Sequence, residues 1–555
     1  MARIWPESPM RLRPLVLASL MAIAGVAHAA EEFIYTVQAG DHPWNIAQRY
    51  LRNTSDAMGL MRLNRIPNDR TMPPGLQLRI PAQWLKLEAA AVQLMVVHGN
   101  ATVIRVDGSS HAAVAGESID TGSRIRTGEK SSALLLFDDG SRVLLRQASE
   151  LRLLRSDKRA LDGGFLVTLD LLRGGLENIV TPQTRPDNRF EIRSPAAVAA
   201  VRGTRFRVNA SAQTTWTEVL DGAVDVSTAA GQVQAGAGYG TVAQLGQAPV
   251  APRVLLAAPD LSVLPQRLER LPIDWPLMPV PGAVRYRTQL APDASFTTIV
   301  SDELTAAPRA RVLDIADERY VMRVLAIAAD GLEGVPAEHP VLVFARPLAP
   351  SLISPPPDAQ TTMSRPVFQW TQGDPTLHYR LELRRSEDAG SAPMHLQTST
   401  SANGTALDID LTPGLYHWRV ASIVPATGRQ GPWGDLQAFR YLLPSPDMQP
   451  AQVEPGNVTV RWPALPNAQA YDLQLTQDTG FESPLAAVRV QATQHAMADL
   501  APGSYQLRLR SVSQDGFAGP WGQAQTFVVP EPPKPEPRHW QKLLLVLPVL
   551  LILGL

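Results

Sequence analysis

The chain has 555 residues, Lys+Arg 51 against Asp+Glu 52, no cysteine, 49 prolines and 45% hydrophobic residues, which is room for several domains. The missing cysteine excludes disulfides, cysteine-ligated metal centres, cysteine nucleophiles and a lipid-bearing cysteine. Balanced charge gives neither the basic excess of a nucleic-acid binder nor the acidic excess of a solvating tail, so partners are recognised locally and no nucleic acid is expected.

Arg3, Arg11 and Arg13 precede an apolar run from Pro14 to Val26 and a small-x-small site at Ala27-His28-Ala29. This pattern predicts a cleaved export signal over residues 1–29 and a mature start at Ala30. The alternative, a membrane anchor, asks a run of about 13 residues to cross a hydrocarbon core of about 30 Å that its helix would not span.

Phe33 to Val37 has strand character, and Gly40-Asp41 breaks it, with Asp41 placed to cap a helix that carries Pro43 in its early turn. A second cap is expected at Ser55, before Met58, Leu60, Met61 and Leu63, and Pro73-Pro74-Gly75 turns the chain into Leu76 to Ile80. The series YTVQAGDHPWNIAQRY, LMRLN and PPGLQLRIP over Tyr35 to Pro81 resembles the LysM domain. That resemblance implies a βααβ module, here 33–82, that binds N-acetylglucosamine-containing glycans such as peptidoglycan or chitin. Its groove would lie between Gly40, Asp41, His42 and Pro43 on one side and Asn64, Arg65, Ile66 and Pro67 on the other. The resemblance puts Trp44 in the core rather than stacked on the sugar, and Pro43 removes one amide donor, so a single weak site is expected.

Residues 92–245 alternate short β runs with glycine turns, ATVIRV, SRIRT, SALLLF and SRVLL among them, and predict an all-β region. The segment Ala197 to Phe206 (AVAAVRGTRF), followed by Val219 to Val226, resembles the FecR domain. Its motif residues are Val201, Arg202, Gly203, Thr204 and Phe206, with Arg202-Gly203-Thr204 either a binding edge or a glycine-centred turn. The resemblance implies periplasmic regulators that relay a receptor's state to an anti-sigma partner. No spanning helix precedes the domain, so a scaffold or ligand-sensing role with an envelope protein partner is the expectation.

Past residue 253 the sequence repeats: Trp275, Trp370 and Trp462 recur at 95 and 92 residues, Tyr286, Tyr379 and Tyr471 at 93 and 92, and Tyr320, Tyr416 and Tyr505 at 96 and 89. Gly431-Pro432-Trp433-Gly434 returns as Gly519-Pro520-Trp521-Gly522. Such a period predicts seven-stranded sandwiches at 253–346 (degenerate, without that turn), 347–442 and 443–529, and they resemble fibronectin type III modules. Pro347 to Pro357 and Leu443 to Pro446 would make them stiff beads on a string.

A proline-rich spacer at 530–539 leads to an apolar tail at 540–555, in which Leu543 to Leu555 would form a short helix. The helix would enter the membrane in part, use Trp540 as an interfacial anchor, or dock on protein. The Pro-Glu-Pro motifs resemble a PEP-CTERM sorting tail, although this tail ends Leu-Ile-Leu-Gly-Leu rather than on basic residues.

No Gly-x-Ser-x-Gly elbow, His-x-x-x-His or Rossmann spacing occurs; Gly236 to Gly240 and Asp138-Asp139-Gly140 read as turns. The sequence therefore predicts a mostly β multi-domain chain with a small βααβ module, an all-β FecR-type domain, three β-sandwich repeats and a short apolar C-terminal helix. Its expected role is that of an exported, non-enzymatic, peptidoglycan-binding envelope scaffold without cofactor or metal, at the periplasm or cell surface and membrane-associated by its tail. The alternative is an envelope signalling component that senses a ligand or receptor through the FecR-type domain.

Overall fold

The computed structural model describes residues 32–70, 72–182, 188–386, 396–478 and 480–534. The expected signal peptide and the apolar tail lie outside the described residues. Among the described residues no helix is long and apolar enough to cross a membrane. The chain divides into two compact units. One comprises residues up to Val263 with Trp275–Arg311 and Val321–His339; the other comprises Leu264–Asp274, Val312–Tyr320 and everything from Pro340 onward. The division runs through the first predicted sandwich.

The first unit begins with β1 (Glu32–Thr36), α1 (Pro43–Tyr50), α2 (Asp56–Leu63) and β2 (Gln77–Pro81), the βααβ order expected. β1 and β2 pair antiparallel with Tyr35 opposite Leu78, and Ile46, Ala47, Leu60, Leu78 and Ile80 fill the core. The next strand, Leu87–Ala89, pairs with Asp157–Arg159 of the following domain. Leu161 packs on the module's core, and the Arg159 guanidinium lies 4.7 Å over the Phe33 ring. A domain of about fifty residues gains apolar burial by leaning on a larger neighbour.

The β domain that follows has two sheets that share one long strand, Phe165–Ile179. Its first part pairs with Glu150–Arg159 and, in parallel, with Arg189–Arg193. From Gly174 onward it pairs instead with Arg205–Ala210 and Arg142–Leu145. Alternating residues of both sheets, Leu94, Leu135, Leu169, Leu176, Phe190 and Val219 among them, meet in one core. Asp138-Asp139-Gly140 is a hairpin turn, and the glycines around Gly238 turn the chain from a strand of the first sheet into one of the second; the sequence predicts a turn at both. The second sheet is covered on its other face too: Leu134 and Leu144 pack against Ala291, Phe296 and Ile299 of the first sandwich.

In the second unit, the middle sandwich sets Leu352–Ser354, Val367–Trp370 and Gly404–Ala406 in one sheet. Its other sheet holds Ala359–Thr361, Gln437–Tyr441, Gly414–Val424, His378–Arg385 and Leu396–Thr400, with Arg429–Trp433 also paired to Gly414–Val424. The last sandwich repeats the plan with three strands and four. The repeated tyrosines have repeated duties. The Tyr286, Tyr379 and Tyr471 hydroxyls each accept the backbone N–H six residues upstream, at 2.7, 3.1 and 2.9 Å. Those of Tyr320, Tyr416 and Tyr505 each donate to the carbonyl four residues upstream. The first copy keeps both bonds, so its degeneracy is confined elsewhere: Trp370 and Trp462 are buried, while Trp275 is exposed.

The repeated Gly-Pro-Trp-Gly segment is more than a turn. A Cβ on Gly431 would stand 2.0 Å from the Pro347 carbonyl oxygen, and one on Gly519 would stand 2.1 Å from that of Leu443. In each sandwich these glycines clear a path for the segment that enters it, which Ser422 and Ser511 then fix by donating to the Leu348 and Pro444 carbonyls. The segments that enter at Pro347 and Leu443 are thus packed down onto their own sandwiches.

Candidate functional site

The loop between β1 and α1 is held by Asp41. Its Oδ2 accepts the Tyr35 hydroxyl at 2.6 Å and the Gln38 N–H at 2.8 Å, and Oδ1 accepts from Arg49 at 2.8 Å. Burial works to raise the Asp41 carboxyl, but these donors overrule it and hold it below the usual range. Burial, and then the Asp41 carboxylate, push the Tyr35 hydroxyl well above its ordinary value. Asp41 is therefore no helix cap; His42 is. The His42 Nδ1 accepts the Asn45 N–H at 3.3 Å, and the Asn45 Oδ1 accepts the His42 N–H at 2.9 Å, a reciprocal capping box. Pro43 follows at the first helical turn, where an amide donor has no intrahelical partner, and its ring is buried. Ser55 stands at the N-cap of α2 but makes no side-chain capping bond, again unlike the expectation.

Gly40 turns at φ +88° and its carbonyl accepts from the Asn45 side chain at 3.1 Å. Across the module, Asn64 closes α2 and ties it to β2: Nδ2 donates to Leu60 O and Arg79 O, and Oδ1 accepts the Arg79 N–H at 2.6 Å. Arg65 sits at φ +54° and is exposed, as is Pro67, whereas the Ile66 side chain points into the core. Of the predicted groove residues, His42, Arg65 and Pro67 thus present side chains to solvent, and Asp41, Asn64 and Ile66 shape the two loops from beneath. Trp44, expected in the core, is 41% exposed on α1 two residues from His42.

The Val198–Val201 and Arg205–Ala210 strands belong to different sheets of the β domain, and Arg202-Gly203-Thr204 is the crossing between them. Val201, Thr204 and Phe206 are buried, with Thr204 Oγ1 donating to Ala223 O at 2.9 Å, and Arg202 is exposed. Gly203 has φ +110° and its missing Cβ would fall 2.4 Å from Pro182 Cα.

One constellation has no counterpart in the sequence reading. Where the second sheet meets the first sandwich, Glu333 receives both Nη1 contacts of Arg146, at 2.9 and 3.1 Å, and Arg287 Nε at 3.1 Å. Arg207 donates to the Glu333 and Gly334 carbonyls at 2.7 and 2.8 Å, and its Nε is 3.7 Å from Glu218 Oε2. Asp302 holds Arg287, Glu177 holds Arg323, and the Trp216 indole donates to Asp330 O. Glu218 Oε1 accepts the Glu333 N–H at 3.1 Å, while Oε2, fully buried, has no hydrogen bond among the described residues. The sequence carried no signal for it: Arg205-Phe206-Arg207-Val208 alternates charged and apolar residues as a half-solvated strand does, yet Arg207, like Thr217 and Glu218, is buried because the second face of the sheet is covered as well.

Burial, against the attraction of Arg207 and with repulsion from Glu333, pushes the Glu218 carboxyl up to about 7. Its folded value thus exceeds its unfolded one, so its contribution to stability is fully present below the ordinary value of 4.5 and is lost as pH rises from there through about 7. Thermal melts at pH 5.5 and 8 are expected to show this fall in the parent and a flatter profile in Glu218→Gln; parallel profiles would show that Glu218 does not titrate there.

Compared with known proteins, residues 35–81 match the LysM domain and residues 123–225 the FecR protein family. No curated protein matches the chain. A solved structure from Parabacteroides distasonis ATCC 8503, provisionally described as an anti-sigma factor, is 14% identical over 24% of this chain and 59% of its own, with a TM-score of 0.20. This chain therefore spans somewhat more than half the length of that protein. A two-domain fibronectin type III segment of chicken tenascin is 15% identical, covers 33% of this chain and 99% of its own, and has a TM-score of 0.24. The chicken interferon gamma receptor alpha chain gives 15% identity, 33% and 98% coverage and a TM-score of 0.25. The chain is mostly β, with a LysM domain toward its N-terminus and a FecR domain after it; both are binding and signalling families rather than catalytic ones.

Proposed function

We propose that this chain, which carries a LysM domain and a FecR domain, is an exported, non-catalytic envelope protein that holds N-acetylglucosamine glycan, peptidoglycan above all, and serves as a scaffold. The glycan would lie between 40–43 and 64–67. The observation that carries this reading is the match over residues 35–81 on a βααβ module whose two loops are fixed from below by Asp41 and Asn64 and leave His42, Arg65 and Pro67 open. Backbone amides and carbonyls of such loops suit N-acetyl and hydroxyl groups, and the exposed Trp44 offers a sugar ring an apolar face. A single shallow groove of this kind binds at roughly millimolar to micromolar dissociation constants, about 4–8 kcal/mol. The apolar 540–555 tail would hold the protein at a membrane or serve as a sorting signal.

A second reading, envelope signalling through the FecR domain, is favoured by the buried ionic cluster that joins this domain to the first sandwich. The two readings share the glycan test. The mature chain is expected to pellet reversibly with insoluble peptidoglycan and with chitin. His42→Asn, which removes the ring but keeps a capping side chain, combined with Arg65→Gly, which relieves a positive φ while removing the side chain, is expected to cut binding to both about fivefold or more without lowering the melting temperature. Undiminished pelleting of the double variant would place the glycan elsewhere.

A further inference from the structure

The outward face of the β domain's first sheet carries arginine in cross-strand rows. Register sets Arg126, Glu150 and Arg173 side by side on adjacent strands, and Arg124, Arg152, Asp170 and Arg193 in the next row. Arginines two strands apart in a row stand about 10 Å from each other, and those two residues apart on a strand about 7 Å. The charges are layered. The Glu150 and Asp170 side chains are 9% and 16% exposed, whereas those of Arg126, Arg173 and Arg193 are 47%, 56% and 53% exposed. Burial works to raise the Glu150 carboxyl, but Arg126, Arg124 and Arg173 hold it below its usual range, so the floor stays anionic and the guanidinium layer stays ordered above it. A partner that approaches this face meets guanidinium first, and arginines outnumber the carboxylates beneath them.

Every cation of these rows is arginine, whose planar fork pairs with carboxylate bidentately where lysine offers a point charge. The strand that bears Arg152 also pairs with Leu87–Ala89, the strand that leaves the LysM module, and both surfaces belong to the same compact unit. A sugar groove and an arginine lattice on one body suit a polymer that repeats an N-acetyl sugar and an acidic branch.

We propose that the arginine face of the first sheet docks the carboxylates of peptidoglycan peptide stems, a second contact to the polymer whose sugar the LysM groove holds. This rests on the glycan reading for the identity of the polymer. Two weak contacts on one body reinforce each other through effective concentration, so loss of either weakens the whole.

The test pairs Arg173→Gln with Arg193→Gln in the mature chain; both side chains are more than half exposed, and Arg124 and Arg126 remain to neutralise Glu150. Peptidoglycan affinity is expected to fall about tenfold, and chitin, which has the sugar but no stem, is expected to bind parent and variant alike. Added salt should weaken the parent on peptidoglycan and leave it unchanged on chitin. Equal peptidoglycan affinity of parent and variant overturns the proposal, as does phosphatidylglycerol-vesicle binding that the variant loses while keeping peptidoglycan. Failure of the parent on chitin would instead sink the LysM groove, and the comparison on peptidoglycan would still decide the arginine face.

Discussion

Gly203→Val is expected to melt the β domain at a temperature lower by about 10 °C or more. The backbone there holds φ +110°, a region in which a β-branched residue is strained by about 1–3 kcal/mol. The new Cβ would also land 2.4 Å from Pro182 Cα, and forced displacement in a packed interior adds about 1–3 kcal/mol more. Thr204 and Phe206 follow at once and are both buried, so the crossing between sheets has no room to shift without moving core. Differential scanning calorimetry on the purified variant checks this, with Arg202→Ala as the companion. Arg202 is exposed, and its loss should leave the melt unchanged. A parent-like melt for Gly203→Val would remove the structural account of the motif, and a partner lost with Arg202→Ala at unchanged stability would make the turn a binding edge.

Glu333→Gln should have a comparable effect by a different route. Glu333 carries the charge that Arg146, Arg207 and Arg287 share, with all four side chains at most 14% exposed. Breaking a buried ion pair from one side leaves cations without compensation and costs about 3–5 kcal/mol. Part of this returns, because without the Glu333 charge the neighbouring Glu218 ionises more readily and takes up Arg207. A net loss of about 3 kcal/mol is therefore expected, together with loss of the fall in stability between pH 5.5 and 8 that Glu218 imposes on the parent. Destabilisation with the parent's pH profile intact would mean that the two carboxylates are not coupled. A melt unchanged at both pH values would mean that the cluster contributes nothing to joining the β domain to the first sandwich.

Much of the organisation was written locally. The βααβ order followed from a glycine-aspartate break, a proline in the first turn of a helix and a Pro-Pro-Gly turn, signals that act within a few residues. The turns at Asp138-Asp139-Gly140 and Gly238, and the tyrosines recurring near ninety residues, were legible for the same reason: a turn or a hydroxyl bonded four or six residues upstream needs no distant partner. At Arg202-Gly203-Thr204 the sequence offered a binding edge or a glycine-centred turn, and Gly203 does turn there at φ +110°.

Capping was less legible. Asp41 and His42 are adjacent and both able to cap, and the choice fell to His42 because Tyr35 and Arg49, brought in by β1 and α1, claim the Asp41 carboxylate first. Trp44 was expected inside on the pattern of the LysM family, yet Ile46 and Ala47 take the buried side of α1 and leave it outside. Sequence alone determined the element types, the repeat and the two families, because periodicity, turn residues and motif spacing are local. Only the tertiary structure decided that the linkers lie in glycine tracks, that one strand serves two sheets, and that Arg146, Arg207, Glu218 and Glu333 meet. Those residues stand up to 187 positions apart, and a charge's burial depends on which distant surface comes to cover it.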